Sequence, residues 1–117
     1  MSAQDSSAWS RSEAVRKAQA ILSGDLGVLE GCIALASLAH DVVSDWRVDP
    51  DFVVFGAVAS EIDHLPFGPV RNQWSAWGLA RADNEIERIA KAARADVLVA
   101  CRHVVERFGT FGSMAAQ

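Results

Sequence analysis

The strongest constraint on the fold lies in the C-terminal part of the chain. Between Arg81 and Phe108, apolar residues recur at spacings of three and four, the repeat of one face of an α-helix. Charged residues fall mostly off this stripe, and Gly109 follows it as a helix-terminating residue. The pattern predicts a long amphipathic helix. Its apolar stripe comprises Ile86, Ile89, Ala90, Ala93, Val97, Ala100, Cys101, Val104 and Phe108.

Two helices are predicted in the first 44 residues. The first covers about residues 12–23, starting at a serine cap and ending before Gly24. The second covers about residues 25–44 and is apolar over most of its circumference, which is typical of a central helix. Gly27 and Gly31 either weaken its first turns or mark the close approach of another helix.

A third helix is predicted to begin at Asp49-Pro50, because aspartate caps a helix and proline suits its first turn. Its apolar run FVVFGAV is also compatible with a buried strand, but the Asp-Pro start and the lack of a partner strand favour a helix. Pro66 ends it, and a short helical turn follows at 74–79. We therefore expect an all-α fold, an antiparallel four-helix bundle with a long C-terminal helix. Residues 9–109 would form a single domain, with flexible ends at 1–8 and 110–117.

The charge distribution narrows the classes of partner. The net charge is −4, and residues 25–64 contain eight carboxylates and one basic residue. Such an acidic block argues against nucleic acid, whose phosphates require a basic face. It suits a basic partner protein, or it pairs internally with the basic C-terminal helix.

Several features point to a reduced, non-membrane location. Cys32 and Cys101 lie within predicted helices among apolar neighbours, as expected for reduced core residues. The N-terminus lacks a secretory signal pattern, and the longest nearly apolar run, 26–39, is too short to span a bilayer. We expect a cytoplasmic protein of bacterial type that does not bind membranes.

One cluster of polar and aromatic residues stands out, at the point where the third helix must stop. We call it the 61–77 corner; it comprises Glu61, Asp63, His64, Arg71, Trp74 and Trp77. Carboxylates at a helix C-terminus oppose the helix dipole, so Arg71 is the expected partner for Glu61 or Asp63. The corner is then either a structural network that holds the 65–77 loop or a partner-binding epitope. Its tryptophans either cap the core or anchor an interface.

The sequence offers little for catalysis. Glu61 and His64 form one Glu-x-x-His motif, whereas dinuclear metal bundles use two. A metal site would need Glu30 and either Glu85 or Glu87 as further ligands. No nucleophile–base pair or phosphate-binding loop is evident, so we predict no catalytic residues, metal or cofactor.

A resemblance adds a functional expectation. The chain resembles a group of small uncharacterised bacterial helical proteins, a domain of unknown function, over about residues 20–108. The motifs that carry it are Ile21-Leu22-x-Gly24, Leu29-Glu30-Gly31-Cys32, Phe52 to Phe55, Ser60-Glu61-x-Asp63-His64-Leu65-Pro66, Arg71-x-x-Trp74 and Asp83-x-Glu85-Ile86. Small acidic helical proteins of this kind are similar to immunity proteins, which bind and neutralise a partner toxin. The resemblance implies no catalytic residues.

Three hypotheses remain open at this stage. The first is a non-enzymatic binding protein, including an immunity-type inhibitor, that docks a basic protein through the 61–77 corner and an acidic face. That face would comprise Asp41, Asp45, Asp49 and Asp51. The second is a metal-binding bundle with the carboxylate and histidine ligands named above. The third is a homodimer that closes on exposed apolar surface of the second or third helix.

Overall fold

The structure, a computed structural model, describes the backbone of residues 3–115 and the side chains of residues 7–109. Its elements are four α-helices, α1 (Ala3–Ser23), α2 (Val28–Val42), α3 (Phe52–Glu61) and α4 (Ala76–Ala115), with a 3-10 helix at Gly68–Gln73 between α3 and α4. The described residues contain no strand. The predicted all-α bundle with a long C-terminal helix is confirmed.

Contacts between distant residues fix the helix arrangement. Gly31 in the first turns of α2 lies against Ile21 near the end of α1, and a side chain at position 31 would overlap Ile21. Gly109, late in α4, lies against Val15 of α1. The start of α2 thus meets the end of α1, and the late part of α4 meets the middle of α1, as expected if α2 and α4 both run antiparallel to α1. The core they enclose includes Ala14, Ala18, Leu29, Cys32, Leu35, Phe52, Phe55, Ile62, Ile89, Val97, Cys101 and Val104.

The two terminal helices are longer than predicted. α1 begins at Ala3, so Ser12 lies inside the helix and does not cap it. α4 continues through Gly109 to Ala115, and Gly109 lies beside Val15 of α1 with room for an ordinary side-chain carbon between them. Helix thus occupies much of both predicted flexible ends. The mobility of those ends stays a prediction, and residues 1–2 and 116–117 lie outside the described residues.

The connection before α3 follows its sequence closely. The Asp49 carboxylate accepts hydrogen bonds from the backbone N–H groups of Asp51 and Phe52, both 3.0 Å long, and so caps the turn that leads into α3. The helix itself begins at Phe52, two residues after the predicted start at Pro50. The run FVVFGAV is helical and buries Phe52 and Phe55, whose rings meet edge to face at 5.5 Å. Trp46 packs against the backbone of Gly56, where a side chain would collide with it.

α4 begins five residues earlier than predicted. The hydroxyl of Ser75 accepts a hydrogen bond of 3.0 Å from the N–H of Gly78, which makes Ser75 the N-terminal cap. Trp77 and Arg81 consequently lie in the first two turns of one continuous helix. None of the helices within residues 3–115 combines the length and apolar content that crossing a bilayer would require.

Candidate interaction site at the 61–77 corner

The chain between α3 and α4 is anchored at its beginning by apolar side chains. α3 ends at Glu61, and Ile62, Leu65 and Pro66 are then buried against the bundle. The 3-10 helix and Trp74 follow, and from this segment Arg71 reaches Asp83 and Trp74 lies beside Gly78 in the first turns of α4. The corner is therefore an ordered part of the fold whose polar side chains project from a buried base.

Arg71 is the main polar tie within this segment. Its guanidinium donates two hydrogen bonds of 2.9 Å to the two carboxylate oxygens of Asp83 on α4, and one of 3.2 Å to the carbonyl oxygen of Pro66. Hydrogen bonding from Arg71 holds the pKa of Asp83 below its usual value, and Asp83 in turn raises the pKa of Arg71. The corner thus contains a structural network, but with a different carboxylate from the one expected.

The predicted pairing of Arg71 with Glu61 or Asp63 is wrong. The 3-10 helix directs Arg71 forward onto α4 instead of back toward the end of α3, and Asp83 lies within reach there. Glu61 and Asp63 are both exposed, and neither side chain makes an ion pair or hydrogen bond with the described residues. Two carboxylates at the corner therefore face solvent.

His64 and Glu85 define the side of the corner nearest α4. The Nε2 atom of His64 lies 3.4 Å from Oε1 of Glu85, and Nη2 of Arg88 lies 3.8 Å from the same oxygen. Both separations are longer than the 2.7–2.9 Å typical of a charge-assisted hydrogen bond. Glu85 is half-buried, so it is a carboxylate with capacity for a further donor.

The two tryptophans of the corner differ in how they are held. Trp74 is 39% exposed and lies beside Gly78, where an added Cβ would be 3.4 Å from its Cε3 atom. Trp77 is 71% exposed and projects from α4, with Cζ of Arg81 4.9 Å from its ring centroid. Of the two alternatives left open for the tryptophans, capping the core does not fit Trp77, whereas the half-buried Trp46 packs against the core.

A groove of about 300 Å³ lies between these side chains. Its floor is formed by small or apolar residues and its rim by aromatic and charged ones. The lining residues are His64, Leu65, Trp74, Trp77, Gly78, Arg81, Ala82 and Glu85. We refer to this feature below as the tryptophan groove.

A second charged cluster lies at the opposite end of α3, and we call it the Arg107 cluster. Arg107 donates to Asp49 through Nη1 and Nη2, at 3.0 and 2.8 Å, and to Oδ2 of Asp51 at 2.9 Å. Nδ1 of His103 lies 2.8 Å from Oδ1 of Asp51, whose side chain is 5% exposed. The cluster therefore joins the start of α3 to α4.

The charged residues of this cluster shift one another's pKa values. Burial alone would raise the pKa of Asp49, but hydrogen bonds from Arg107 and from the backbone of Phe52 and Asp51 outweigh it, so this pKa lies below its usual value. Hydrogen bonds to the side chains of Asp49 and, to a lesser extent, Asp51 raise the pKa of Arg107. All buried side-chain nitrogen and oxygen atoms of the described residues have a hydrogen-bond partner.

The Arg107 cluster corrects the predicted acidic docking face. Asp49 and Asp51 are paired inside the fold, so they do not present charge to a partner. Asp41 and Asp45 are exposed, with Asp45 accepting a hydrogen bond of 3.1 Å from the backbone of Arg47. Two of the four aspartates of the proposed face therefore form ion pairs with the basic C-terminal helix, which was the alternative interpretation of the acidic block.

The residues proposed as metal ligands do not converge. Within the side chains of residues 7–109, no three His, Cys, Asp or Glu residues lie close enough to hold one ion. Glu30 lies over Gly27 at the start of α2 and is exposed. Cys32 and Cys101 are both buried and unpaired, and burial raises the pKa of each thiol to about 12, with Cys101 adding to the effect on Cys32.

Asp83 and Arg81 are corner residues that the sequence pattern did not predict. The last helix was predicted to start at Arg81, so Trp77 was not expected to lie on it. On one helix, a separation of four residues places the side chains of Trp77 and Arg81 side by side. The signal that could have revealed the earlier helix start is Ser75, a good cap six residues before Arg81.

Comparison of the chain with protein-family models, with curated proteins and with solved structures finds no match.

Proposed function

We propose that this protein is a non-enzymatic binding domain that docks a basic partner protein through the 61–77 corner. The observation that carries the proposal is Trp77, which leaves 71% of its surface exposed beside a groove in an ordered segment. A large indole in water is unfavourable, and tryptophan is among the residues that most often anchor protein interfaces. The exposed indole therefore supports a surface that a partner covers.

The corner is preorganised for binding. Trp74 follows the 3-10 helix, Trp77 lies in the first turn of α4, and the Arg71–Asp83 pair ties these two elements together. Little backbone entropy would be lost when a partner contacts segments that are already tied together. This supports an interface that forms without folding of the corner.

The charge around the groove favours a basic partner. Residues 61–88 contain five carboxylates and three arginines, and the Arg71–Asp83 pair neutralises one of each. The carboxylates are Glu61, Asp63, Asp83, Glu85 and Glu87, and the bases are Arg71, Arg81 and Arg88. Glu61 and Asp63 are exposed, so their field would mainly accelerate association with a positively charged surface.

An immunity-type inhibitor is the class of binding protein that we propose, because the sequence resembles small acidic helical proteins of that kind. In this role the protein would act in the cytoplasm of a bacterium, where it would bind a toxin and block it by covering its surface. The interaction would need no chemistry from the inhibitor, in keeping with a corner built of an aromatic groove and solvent-facing carboxylates.

The test compares two exposed tryptophans. Trp77→Ala and Trp9→Ala each remove an indole, and Trp9 on α1 is 61% exposed and lies outside the corner. Each tagged variant and the parent are used to capture proteins from the native host, at low and high salt, after melting curves show that all three are folded. We expect one basic protein that the parent and Trp9→Ala retain, that Trp77→Ala loses, and that salt weakens. Equal capture by all three forms would refute the proposal.

A homodimer that closes on α2 or α3 is the second candidate, because each of these helices exposes a branched apolar side chain. These are Ile33 on α2 and Val53 on α3. Light scattering over a range of concentrations tests it, since a strict monomer excludes this interface and a dimer that Ile33→Asp dissociates supports it.

A further inference from the structure

Glu85 occupies an unusual position in the tryptophan groove. It is half-buried on the groove wall, and the nearest basic side-chain nitrogens among the described residues, those of His64 and Arg88, lie 3.4 and 3.8 Å from its Oε1 atom. Neither contact has the length of a strong charge-assisted hydrogen bond. A carboxylate in this position attracts a cationic donor that can enter the groove and approach to about 2.8 Å.

The ring of Trp77 already contacts one guanidinium group, that of Arg81. The guanidinium carbon of Arg81 lies 4.9 Å from the ring centroid, within the range of a cation–π contact. Since 71% of Trp77 is exposed, Arg81 leaves most of the indole open. The exposed surface of Trp77 and the adjacent ring of Trp74 are therefore available to a second planar cation.

From these observations we infer that the tryptophan groove is a receptor for one arginine side chain of the partner protein. Its guanidinium would stack on Trp77 and donate to the carboxylate of Glu85, with the methylene stem over Gly78 and Ala82. This inference rests on the proposed function and deepens it, because it names the chemical group that the corner recognises.

Arginine fits this groove better than lysine does. The guanidinium is planar, stacks on aromatic faces, and presents parallel N–H donors that match a carboxylate, whereas the ammonium of lysine is compact and strongly hydrated. The exposed carboxylates Glu61 and Asp63 would attract either cation. Discrimination between the two must therefore come from the indole surface and from Glu85.

The direct test uses capped single amino acids and needs no knowledge of the partner. N-acetyl-arginine amide and N-acetyl-lysine amide are titrated into the full chain while the four indole N–H signals are followed by NMR. We expect the arginine derivative to shift the signals of Trp74 and Trp77, to leave those of Trp9 and Trp46 in place, and to bind more tightly than the lysine derivative.

Two matched pairs of variants separate this site from general charge effects. Glu85→Gln should weaken arginine binding about tenfold, the effect of losing a charge-assisted hydrogen bond. Asp96→Asn, which removes an exposed carboxylate on the same helix away from the groove, should leave it unchanged. Trp77→Leu keeps an apolar side chain but should abolish binding, whereas Trp9→Leu should not.

Every result of these titrations either supports or overturns the inference. Equal affinity for the two derivatives, equal effects of Glu85→Gln and Asp96→Asn, or no movement of the Trp74 and Trp77 signals would overturn it. If arginine fails to bind while Trp77→Ala still loses a native partner, this inference falls and the proposed function stands. If arginine binds as described while no partner depends on Trp77, the groove is a guanidinium site and the proposed function falls.

Discussion

The guanidinium of Arg71 faces the carboxylate of Asp83 through two parallel hydrogen bonds of 2.9 Å, while the same guanidinium also donates to the carbonyl oxygen of Pro66. One side chain thus joins the entry of the connecting segment, its 3-10 helix and α4. Both charged groups are largely solvent-accessible, so their contribution to global stability is small. Their main effect is to order the segment that carries Trp74.

Asp83→Asn should loosen that segment without unfolding the bundle. The neutral amide can no longer accept two charge-assisted hydrogen bonds, so Arg71 loses its fixed position and the 3-10 helix opens more often. We expect faster amide hydrogen exchange in residues 68–75 and nearly unchanged exchange in the core of α2. Asp96→Asn is the control, since Asp96 is exposed on α4 and makes no ion pair with the described residues. Unchanged exchange in the 68–75 segment would show that Arg71 does not order it.

Arg107→Met should destabilise the whole protein. It removes the donor that Asp49 and Asp51 share and leaves two nearly buried carboxylates with fewer partners. Breaking a fully buried pair costs about 3–5 kcal/mol, and the partial exposure of Arg107 reduces the expected loss to about 2 kcal/mol. Urea denaturation measures it. Arg102→Met, an exposed arginine on the same helix outside the cluster, should change stability by less than about 0.5 kcal/mol.

The contribution of Asp49 to stability should depend on pH. The pKa of Asp49 is lower in the folded protein than in the unfolded chain, where aspartate titrates at about 3.9. The stabilisation is therefore fully present above the unfolded pKa and is lost as the pH falls through the folded pKa. We expect Asp49→Asn to be less stable than the parent at pH 7 and the difference to shrink below about pH 4. Denaturation curves at pH 7, 5, 4 and 3 measure this, and a constant difference would contradict the assigned shift.

Local patterns were enough to predict much of the fold. The apolar repeat of residues 81–108, the glycine stop at Gly24 and the Asp49 cap depend on neighbours in sequence, and the structure confirms all three. The ends of α1 and α4 were misplaced because a serine inside a helix and a glycine near its end look locally like a cap and a stop. Gly109 lies beside Val15 of α1 at ordinary van der Waals separation, and α4 continues past it.

The candidate site was predicted in position but not in its pairing. The sequence placed charged and aromatic residues together where α3 stops, and the structure brings Trp74, Trp77 and His64 to one groove. Which carboxylate meets Arg71 depends on the direction of the 3-10 helix, and this is set by how residues 65–67 pack on the bundle. The pairing of Asp51 with His103 spans 52 residues, and no local spacing encodes it.

The two cysteines should be inert in the folded protein. Both are buried, and burial raises their pKa values to about 12, so the reactive thiolate is scarce at neutral pH. A thiol reagent should label almost no protein in native buffer and two thiols per chain in denaturant. Cys101→Ala should reduce the denatured count to one. Rapid labelling of the native protein would show that the α2–α4 contact around these thiols opens readily.

Charge substitutions along α4 should distinguish its buried stripe from its exposed face. Ile89 and Val97 are buried in the core, whereas Val99 is 44% exposed on the same helix. Ile89→Asp or Val97→Asp would place an unpaired carboxylate among apolar side chains and should cost about 4 kcal/mol. Val99→Asp introduces the same charge and the same residue type into the same helix, but at a position that faces water. It should therefore cost less than about 1 kcal/mol. Thermal melting of the three variants measures the difference. Equal melting temperatures would mean that the apolar repeat of α4 does not face the core.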